Sequence, residues 1–442
     1  MNLQEYIKYM YNSDPYWFAS EVQDGWHTQR INNVVNIKQY LSGKHAILNK
    51  PDEVWKGRTL KSTRIVLQYA KPIISFEVAF LLSRPVTLTS TDDKTLQTYK
   101  GVYDNGKYDA MDNKLLDKMV KYGQVYEYVF IDGNGNIKSD IIPADEGYPV
   151  YTPQSEYVAF IQFYTVQGIS YYNVFTDNKV ISYSDIGGNG IHVIDEKDNL
   201  SGLPIIYKTE NEEDELTGRS DLEDYVNIID NMESILSKYT DSFYKFLNPI
   251  PTITGTKLNI GKNGEGAIDP SIVGNCLQLD DGSSFDLKLS KMDSASLKEL
   301  YKTLQSALLN VSMTPAISMD ASNPANLAET SIRMMYTLPI LKGAINAQYM
   351  KDGFEDRWKK IRKLLTYKDI KVSGNIDCVF DMAIPENEAE VIDNVIKLRD
   401  KGLLSIDTAL SQTPYVYDVK GERDKIDKEK TNINNKNEEN NK

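Results

Sequence analysis

Histidine and cysteine are scarce: the 442-residue chain holds three of the first and two of the second. His27, His45 and His192 lie in separate segments without ligand spacing, and Cys276 and Cys378 stand far apart. That excludes a disulfide framework and a Cys-rich metal site, and it favours a reducing compartment. The plain reading of each histidine is a surface or packing residue. Long apolar runs are missing too. The longest, Pro72 to Leu82, is about half of what a membrane-spanning helix needs and carries Glu77 at its centre. The opening Met-Asn-Leu-Gln-Glu-Tyr lacks the basic, apolar, small-residue order of a secretory signal, so a soluble intracellular protein is expected. Positive charge is also short. Fifty Lys plus Arg face 63 Asp plus Glu, a formal net charge of -13. Affinity for phosphates comes mainly from clustered Lys and Arg, so this balance opposes a tight grip on nucleic acid. It does not oppose letting nucleic acid pass.

What is present is an ordinary hydrophobic share of 41%, enough for a sizeable core in two or three domains. Leu60, Ile65, Val66, Tyr69, Ile73, Ile74 and Phe80 fall near helical spacing, so a helix, a break at Pro72 and a second helix or strand are expected. Leu115 to Tyr122 predicts a helix that Gly123 stops. From Gln124 to Lys208 the period changes to short strands rich in Tyr, Val, Ile and Phe: Val125 to Ile131, Ile137 to Ile142, Tyr157 to Val166, Ser170 to Phe175, Val180 to Tyr183 and Ile191 to Ile194. Turn residues between them predict an antiparallel meander. Asp132-Gly-Asn-Gly-Asn136 reads as a hairpin turn rather than a calcium loop, because Ile137 and Pro143 occupy the positions where an EF-hand needs Gly and Glu.

Beyond the acidic linker Glu210 to Glu215, Leu222, Tyr225, Ile229, Met232, Leu236, Tyr239 and Phe243 mark one face of a long amphipathic helix. Ser220 is its expected N-cap, and Asn248-Pro-Ile-Pro251 ends it. A Gly-rich stretch follows, and Leu297, Leu300, Tyr301, Leu304 and Leu308 then predict a returning helix from Ser294 to Asn310. After a loop over Met313 to Leu327, Ala328 to Leu365 reads as one long helix with a kink near Pro339. Ile370 to Ile384 suggests a strand or two, Ala389 to Arg399 a helix capped by Gly402, and Ser405 the start of another. From Lys420 onward charge and then Asn dominate, with six Asn in the last twelve residues, and disorder is expected.

Motifs that carry chemistry are few. Gly255 to Asn263 has the look of a Walker loop, but it has one residue too many and lacks the Ser or Thr that binds magnesium, so it reads as a turn. Asp and Glu are abundant enough to allow paired carboxylates anywhere, and a solvated helix face explains them better. No catalytic residue, cofactor or metal is expected.

The order of segments, by contrast, resembles the portal proteins of tailed bacteriophages. Tyr40-Leu-Ser-Gly43-Lys-His-Ala-Ile47 is similar to an N-terminal element of the SPP1-like portal family. Ile65-Val-Leu-Gln-Tyr69-Ala-Lys71-Pro-Ile73 with Phe80-Leu-Leu-Ser-Arg-Pro85-Val86 resembles two more, and Gly218-Arg-Ser220-Asp221-Leu222-Glu223 resembles the start of its stem helix. Ile384-Pro385-Glu-Asn387-Glu388, Gly402 to Thr408 and Pro414 to Asp418 resemble its crown. Gln68, Ser83 and the segment Leu327 to Ser331 depart from the family's usual residues.

The resemblance implies an α+β portal fold with an antiparallel β-rich wing, long stem helices, a small α/β clip, a kinked wing helix and a helical crown. In those terms residues 1–221 form the first part of the wing, 222–247 and 294–312 the stem, and 248–293 the clip. Residues 313–327 form the tunnel loop, 328–382 the kinked wing helix and strand, 383–419 the crown, and 420–442 the disordered tail. A dodecameric ring at one capsid vertex would then pass double-stranded DNA. Its partners would be the terminase large subunit, the head-completion adaptor, and scaffolding and major capsid proteins. It would belong to the virion after assembly in the host cytoplasm, with no membrane. Ser318, Met319, Asp320, Asn323 and Asn326 of the tunnel loop are expected at the DNA. Glu223, Asp230, Glu233 and Asp241 are expected on a channel face of the stem, repelling phosphates weakly. Without the resemblance, two helices packing on one intrachain core explain the same pattern. Another virion connector or baseplate part, and a carboxylate-dependent hydrolase, stand as alternatives.

Overall fold

The computed structural model describes residues 1–55, 58–188, 190–246, 250–254, 284–288, 294–315, 334–384, 388–413 and 421–429, with single positions besides. Helices α1 (Leu3–Tyr11), α2 (Trp17–Glu21) and α3 (Gly25–Leu41) open the chain, and a small hairpin of β1 (Glu53–Trp55) and β2 (Arg58–Leu60) follows. Next come α4 (Ala70–Leu82), β3 (Thr87–Ser90), α5 (Asp93–Gly106) and α6 (Tyr108–Tyr122). The strand region holds β4 (Gln124–Ile131), β5 (Ile137–Ile142), β6 (Gly147–Tyr151), β7 (Tyr157–Val166), β8 (Ile169–Phe175), β9 (Lys179–Ser184), β10 (His192–Asp198) and β11 (Ile205–Lys208). Then follow α7 (Leu222–Phe246), β12 (Ile250–Thr254), β13 (Ser284–Lys288), α8 (Ser294–Val311), α9 (Thr337–Tyr367), β14 (Ile376–Val379), α10 (Glu388–Asp400) and α11 (Ile406–Ser411). The architecture is mixed helix and antiparallel sheet, as the α+β reading expects. Among the described residues no helix is long and apolar enough to cross a membrane.

Strands β6 to β10 form the expected meander, in the order β10-β9-β8-β7-β6, and β11-β4-β5 form a second antiparallel sheet. The turn from β4 to β5 is built by Asp132, whose carboxylate accepts the N–H groups of Asn134 and Asn136 at 2.9 and 2.8 Å. The Lys138 ammonium, and after it those two bonds, lower the Asp132 pKa to about 2. Strand β6 lies outside the sequence-based expectation because it contains Pro149. It sits at the edge of its sheet, where a residue without an N–H is tolerated.

One core joins α4, α6, α9, the β11-β4-β5 sheet and the start of α7. A second packs Tyr6, Trp17 and Phe18 of the first helices on Val150, Ile161 and Val174 of the meander, and a third, around Tyr126, Phe160 and Phe175, joins the two sheets. In the first core Arg357 of α9 is wholly buried. It meets Asp112 at 2.7 Å and both oxygens of Glu127 at 2.9 and 3.0 Å, within a ring of Tyr103, Tyr108, Tyr207 and Phe354. Gly353, one turn earlier, is where the helix backbone lies directly on the Tyr207 ring.

Three expectations are corrected. Pro72 does not separate two helices: it falls in the first turn of α4, where its missing N–H has no intrahelical role. Pro339 likewise stands in the first turn of α9, and the long pattern is interrupted at Tyr336 rather than kinked within a helix. In the tail, residues 421–429 are helical, with Arg423 pairing with Asp427 one turn on and with Asp407. Such i,i+4 pairs supply local support that composition alone does not reveal. The remaining tail lies outside the described residues.

Candidate functional site

The long helix α7 starts where two chain segments cross. Gly123 ends α6 with φ +79°, and the backbone of Gly218 lies so close that neither residue has room for a Cβ. Ser220 then donates to the Lys121 carbonyl and accepts the Leu222 N–H at 3.2 Å, so the start of α7 is tied to the end of α6. Leu222, Tyr225, Ile229 and Met232 are buried in the main core. Burial then fades, and Phe243 is exposed. Helix α8 runs the opposite way: Leu300 near its start is exposed and Leu308 and Leu309 near its end are buried. The pair is therefore an antiparallel arm, rooted in the body at both chain ends. Strands β12 and β13, which pair antiparallel, lie between the two helices in sequence. The Tyr69 and Tyr301 hydroxyls meet at 2.9 Å and join α8 to the segment before α4.

A second feature of the arm is invisible in the apolar pattern. Residues 63–67 run extended along α7, antiparallel to it. The Thr63 N–H donates to Asp241 Oδ1 at 2.8 Å, the Ile65 N–H to Ser237 Oγ at 3.0 Å, and the Leu67 N–H to Glu233 Oε1 at 2.7 Å. Steps of two on an extended chain thus meet steps of four on a helix. The match is geometric: two extended residues advance roughly 6.6 Å and four helical ones roughly 6 Å. A row of i,i+4 positions also rotates by roughly 40° per step, so its middle comes nearest a straight neighbour. Serine, the shortest acceptor, stands in the middle, and the longer Glu and Asp stand at the ends. The other side of this strap is held by Arg64 on the Lys50 carbonyl and on Asp52.

Of the four acidic stem residues expected on a channel face, Asp230, Glu233 and Asp241 are engaged within the chain. Glu233 is fully buried and bonded to His45 Nδ1 at 2.5 Å, so it lines no channel. Asp230 accepts the Tyr40 hydroxyl at 3.3 Å, and Asp241 takes the strap and Lys50, whose ammonium lies 3.6 Å away. Burial raises the carboxyl pKa of Asp230 and Glu233. Burial pushes Asp241 upward as well, but the bonds from Thr63 and the Lys50 charge outweigh it and leave its pKa below the ordinary value. Glu223 alone of the four is exposed, beside Arg219 at 3.4 Å, with its pKa raised mainly by partial burial. The tunnel-loop residues Ser318, Met319, Asp320, Asn323 and Asn326, and the Gly255 to Asn263 turn, lie outside the described residues. His27 and His45 prove to be buried and His192 exposed. Sequence reading missed the strap and the role of His45. The available signal was the run of short polar acceptors Glu233, Ser237 and Asp241, four apart beside the apolar stripe.

Comparison with known proteins bears on this arrangement. The family described as phage portal protein, SPP1 Gp6-like, matches residues 23–436. The portal protein of Bacillus phage SPP1 is 24% identical over an alignment of 411 residues that covers 84% of this chain and 77% of that protein. Among solved structures, the neck of an empty gene transfer agent particle computed with C6 symmetry aligns at a TM-score of 0.47 and 14% identity, covering 76% of this chain and 86% of that one. The neck of the native particle computed with C12 symmetry aligns at 0.45 and 14%, covering 78% and 89%. With a family match over most of its length, the chain belongs to the SPP1 Gp6-like phage portal proteins, and its function is that of a phage portal protein.

Proposed function

We propose that copies of this chain, twelve as the family resemblance implies, close into a ring at one vertex of a tailed-phage capsid, and that double-stranded DNA passes through it during packaging and ejection. The observation that carries this reading is the arm: two antiparallel helices rooted in the body at one end and increasingly exposed toward the other. Apolar surface that one copy leaves open supports it. Met334, Leu338, Leu341 and Ile345 recur at helical spacing on the segment leading into and through the start of α9 and are all exposed, Leu341 to 52%. A neighbouring copy is the natural cover for such a stripe.

In this reading residues 222–247 and 294–312 form the stem and 248–293 the clip, which meets the terminase large subunit during packaging and the head-completion adaptor afterwards. Residues 1–221 and 328–382 form the wing, which scaffolding and major capsid proteins contact, and 383–419 form the crown. Ser318, Met319, Asp320, Asn323 and Asn326 touch the DNA from the tunnel loop. The role is structural rather than enzymatic, within the virion. Electron microscopy of the purified full-length protein is expected to show rings with a central channel, and a monomer at every protein and salt concentration would overturn the proposal. Shortening the loop 313–327 is expected to impair DNA packaging with rings intact, and unchanged packaging would remove that loop's role.

A further inference from the structure

The strap and the arm meet at a cluster that the portal reading does not use. One nitrogen of His45 and one carboxylate oxygen each from Asp230 and Glu233 lie within 4.8 Å of one another. The side chains of His45 and Glu233 are fully buried, and Asp230 is half-buried, which leaves a way in from solvent. Two of the polar atoms have no partner: Glu233 Oε2 and His45 Nε2. Among the described residues no Lys or Arg pairs with Asp230 or Glu233, so two carboxylates share one imidazole in a water-poor site. A buried, unpaired carboxylate oxygen is costly, and the ordinary remedies are a donor, a proton or a cation.

We propose that His45, Asp230 and Glu233 form a binding site for one divalent metal ion of the zinc type, which fastens the segment after α3, where His45 stands, to the root of the arm. The donor set selects the class. One imidazole with two carboxylates suits zinc, manganese, iron(II), cobalt and nickel, whereas calcium and magnesium prefer all-oxygen shells with more ligands. Three protein ligands leave a fourth position for water. The surroundings are those that orient metal ligands. The Leu67 N–H holds Glu233 Oε1, the Tyr40 hydroxyl holds Asp230, and the Tyr40 ring stacks on the His45 imidazole at 3.8 Å between centroids. On binding, the ion replaces the His45 Nδ1 to Glu233 Oε1 hydrogen bond. Any proton shared in that bond leaves to solvent as the ion takes its place, so uptake releases protons. The inference is independent of ring formation.

The test uses the full-length chain, freed of metal by EDTA and dialysed, then titrated with zinc chloride and, separately, cobalt chloride. One ion per chain is expected, with a rise in melting temperature and, for cobalt, the visible absorption of a low-coordinate nitrogen and oxygen site. Asp230→Asn is the decisive variant, because Asp230 takes no backbone bond and asparagine can still accept from Tyr40; it should weaken binding at least about 100-fold, and His45→Gln should abolish it. Magnesium chloride at the same concentration should give no saturable shift. The proposal is overturned if the wild type binds no stoichiometric zinc. It is equally overturned if Asp230→Asn keeps the affinity and cobalt spectrum of the wild type, which would leave His45 and Glu233 as a self-sufficient hydrogen-bonded pair.

Discussion

Replacing Ser237 by alanine tests whether the strap is a cooperative element. The Ser237 side chain is fully buried and its Oγ is the acceptor for the Ile65 N–H at 3.0 Å. Alanine keeps the helix and nearly the same volume but leaves that N–H without an acceptor in a half-buried place. Leaving a donor unmade costs about 1–2 kcal/mol, toward the lower end of the usual range because water reaches part of the segment. Since 1.4 kcal/mol is tenfold, the opening equilibrium at residue 65 should shift by about 5- to 30-fold. Hydrogen exchange read by mass spectrometry over residues 61–69 measures that shift directly. If the strap peels as a unit, the amides of Thr63 and Leu67 accelerate with Ile65, although their own acceptors, Asp241 and Glu233, are intact. The segment around Arg357, in the main core, should not change. Ser237→Thr, which retains the hydroxyl, should restore slow exchange. Acceleration confined to residue 65 would refute the cooperative ladder, and no acceleration at all would refute the bond.

Arg357→Met should destabilise the chain by about 3–5 kcal/mol, since it strands Asp112 and Glu127 in the core, and the urea midpoint should fall by on the order of 1–2 M. Trp358 fluorescence reports it, and adding Asp112→Asn and Glu127→Gln to the same variant should recover part of the loss. Glu77 is pushed by burial, with Asp221 adding to the effect and Lys342 opposing it, up to about 8. Its folded value lies above the unfolded one near 4.3, so its stabilising contribution is full below that value and is lost as pH rises through about 8. The melting temperature of the wild type should therefore fall relative to Glu77→Gln between pH 6 and 9, and parallel profiles would count against the shift. Gly353→Ala should destabilise by about 1–3 kcal/mol in a melting experiment, because its Cβ falls on the buried Tyr207 ring, where an exposed helical site would gain by the same change.

Side-chain periodicity explains which elements were legible. The meander, the turn at Asp132 and both arm helices declare themselves through alternation, turn residues and apolar stripes, and the Gly123 stop and the Ser405 cap fall where backbone conformation demands them. The first helices are harder to read because α3 turns His27 and Arg30 inward. The Arg30 guanidinium is buried on the carbonyls of Ala144 and Gly147, a partnership of long sequence separation. The strap is hardest of all. Its donors are backbone N–H groups, which every non-proline residue owns, so only the acceptors on α7 leave a trace. Read alone, Glu233 and Asp241 look like a solvated helix face.

That change of role alters what the acidic composition means for the arm. The apolar contacts of α7 with the main core end near Met232, but the ladder continues to Asp241, nine residues and roughly 14 Å farther along the helix. The strap therefore holds the arm where core packing no longer does. An aliphatic residue at 233, 237 or 241 would leave the strap's N–H groups without acceptors, so polarity there serves anchoring. Bending the arm away from the body should open the ladder from the Asp241 end, which is less buried than the Glu233 end. The α7 face opposite the apolar stripe carries Asn227, Asn231 and Lys238, all exposed, and Asn231 is bonded to the Asn227 carbonyl at 2.8 Å. Among the described residues from Asn227 to Lys238 that face holds Lys238 as its cation beside the two amides, with Glu223 one turn earlier, too little positive charge to grip phosphates. If DNA passes along it, low friction comes from that scarcity of Lys and Arg rather than from a row of repelling carboxylates.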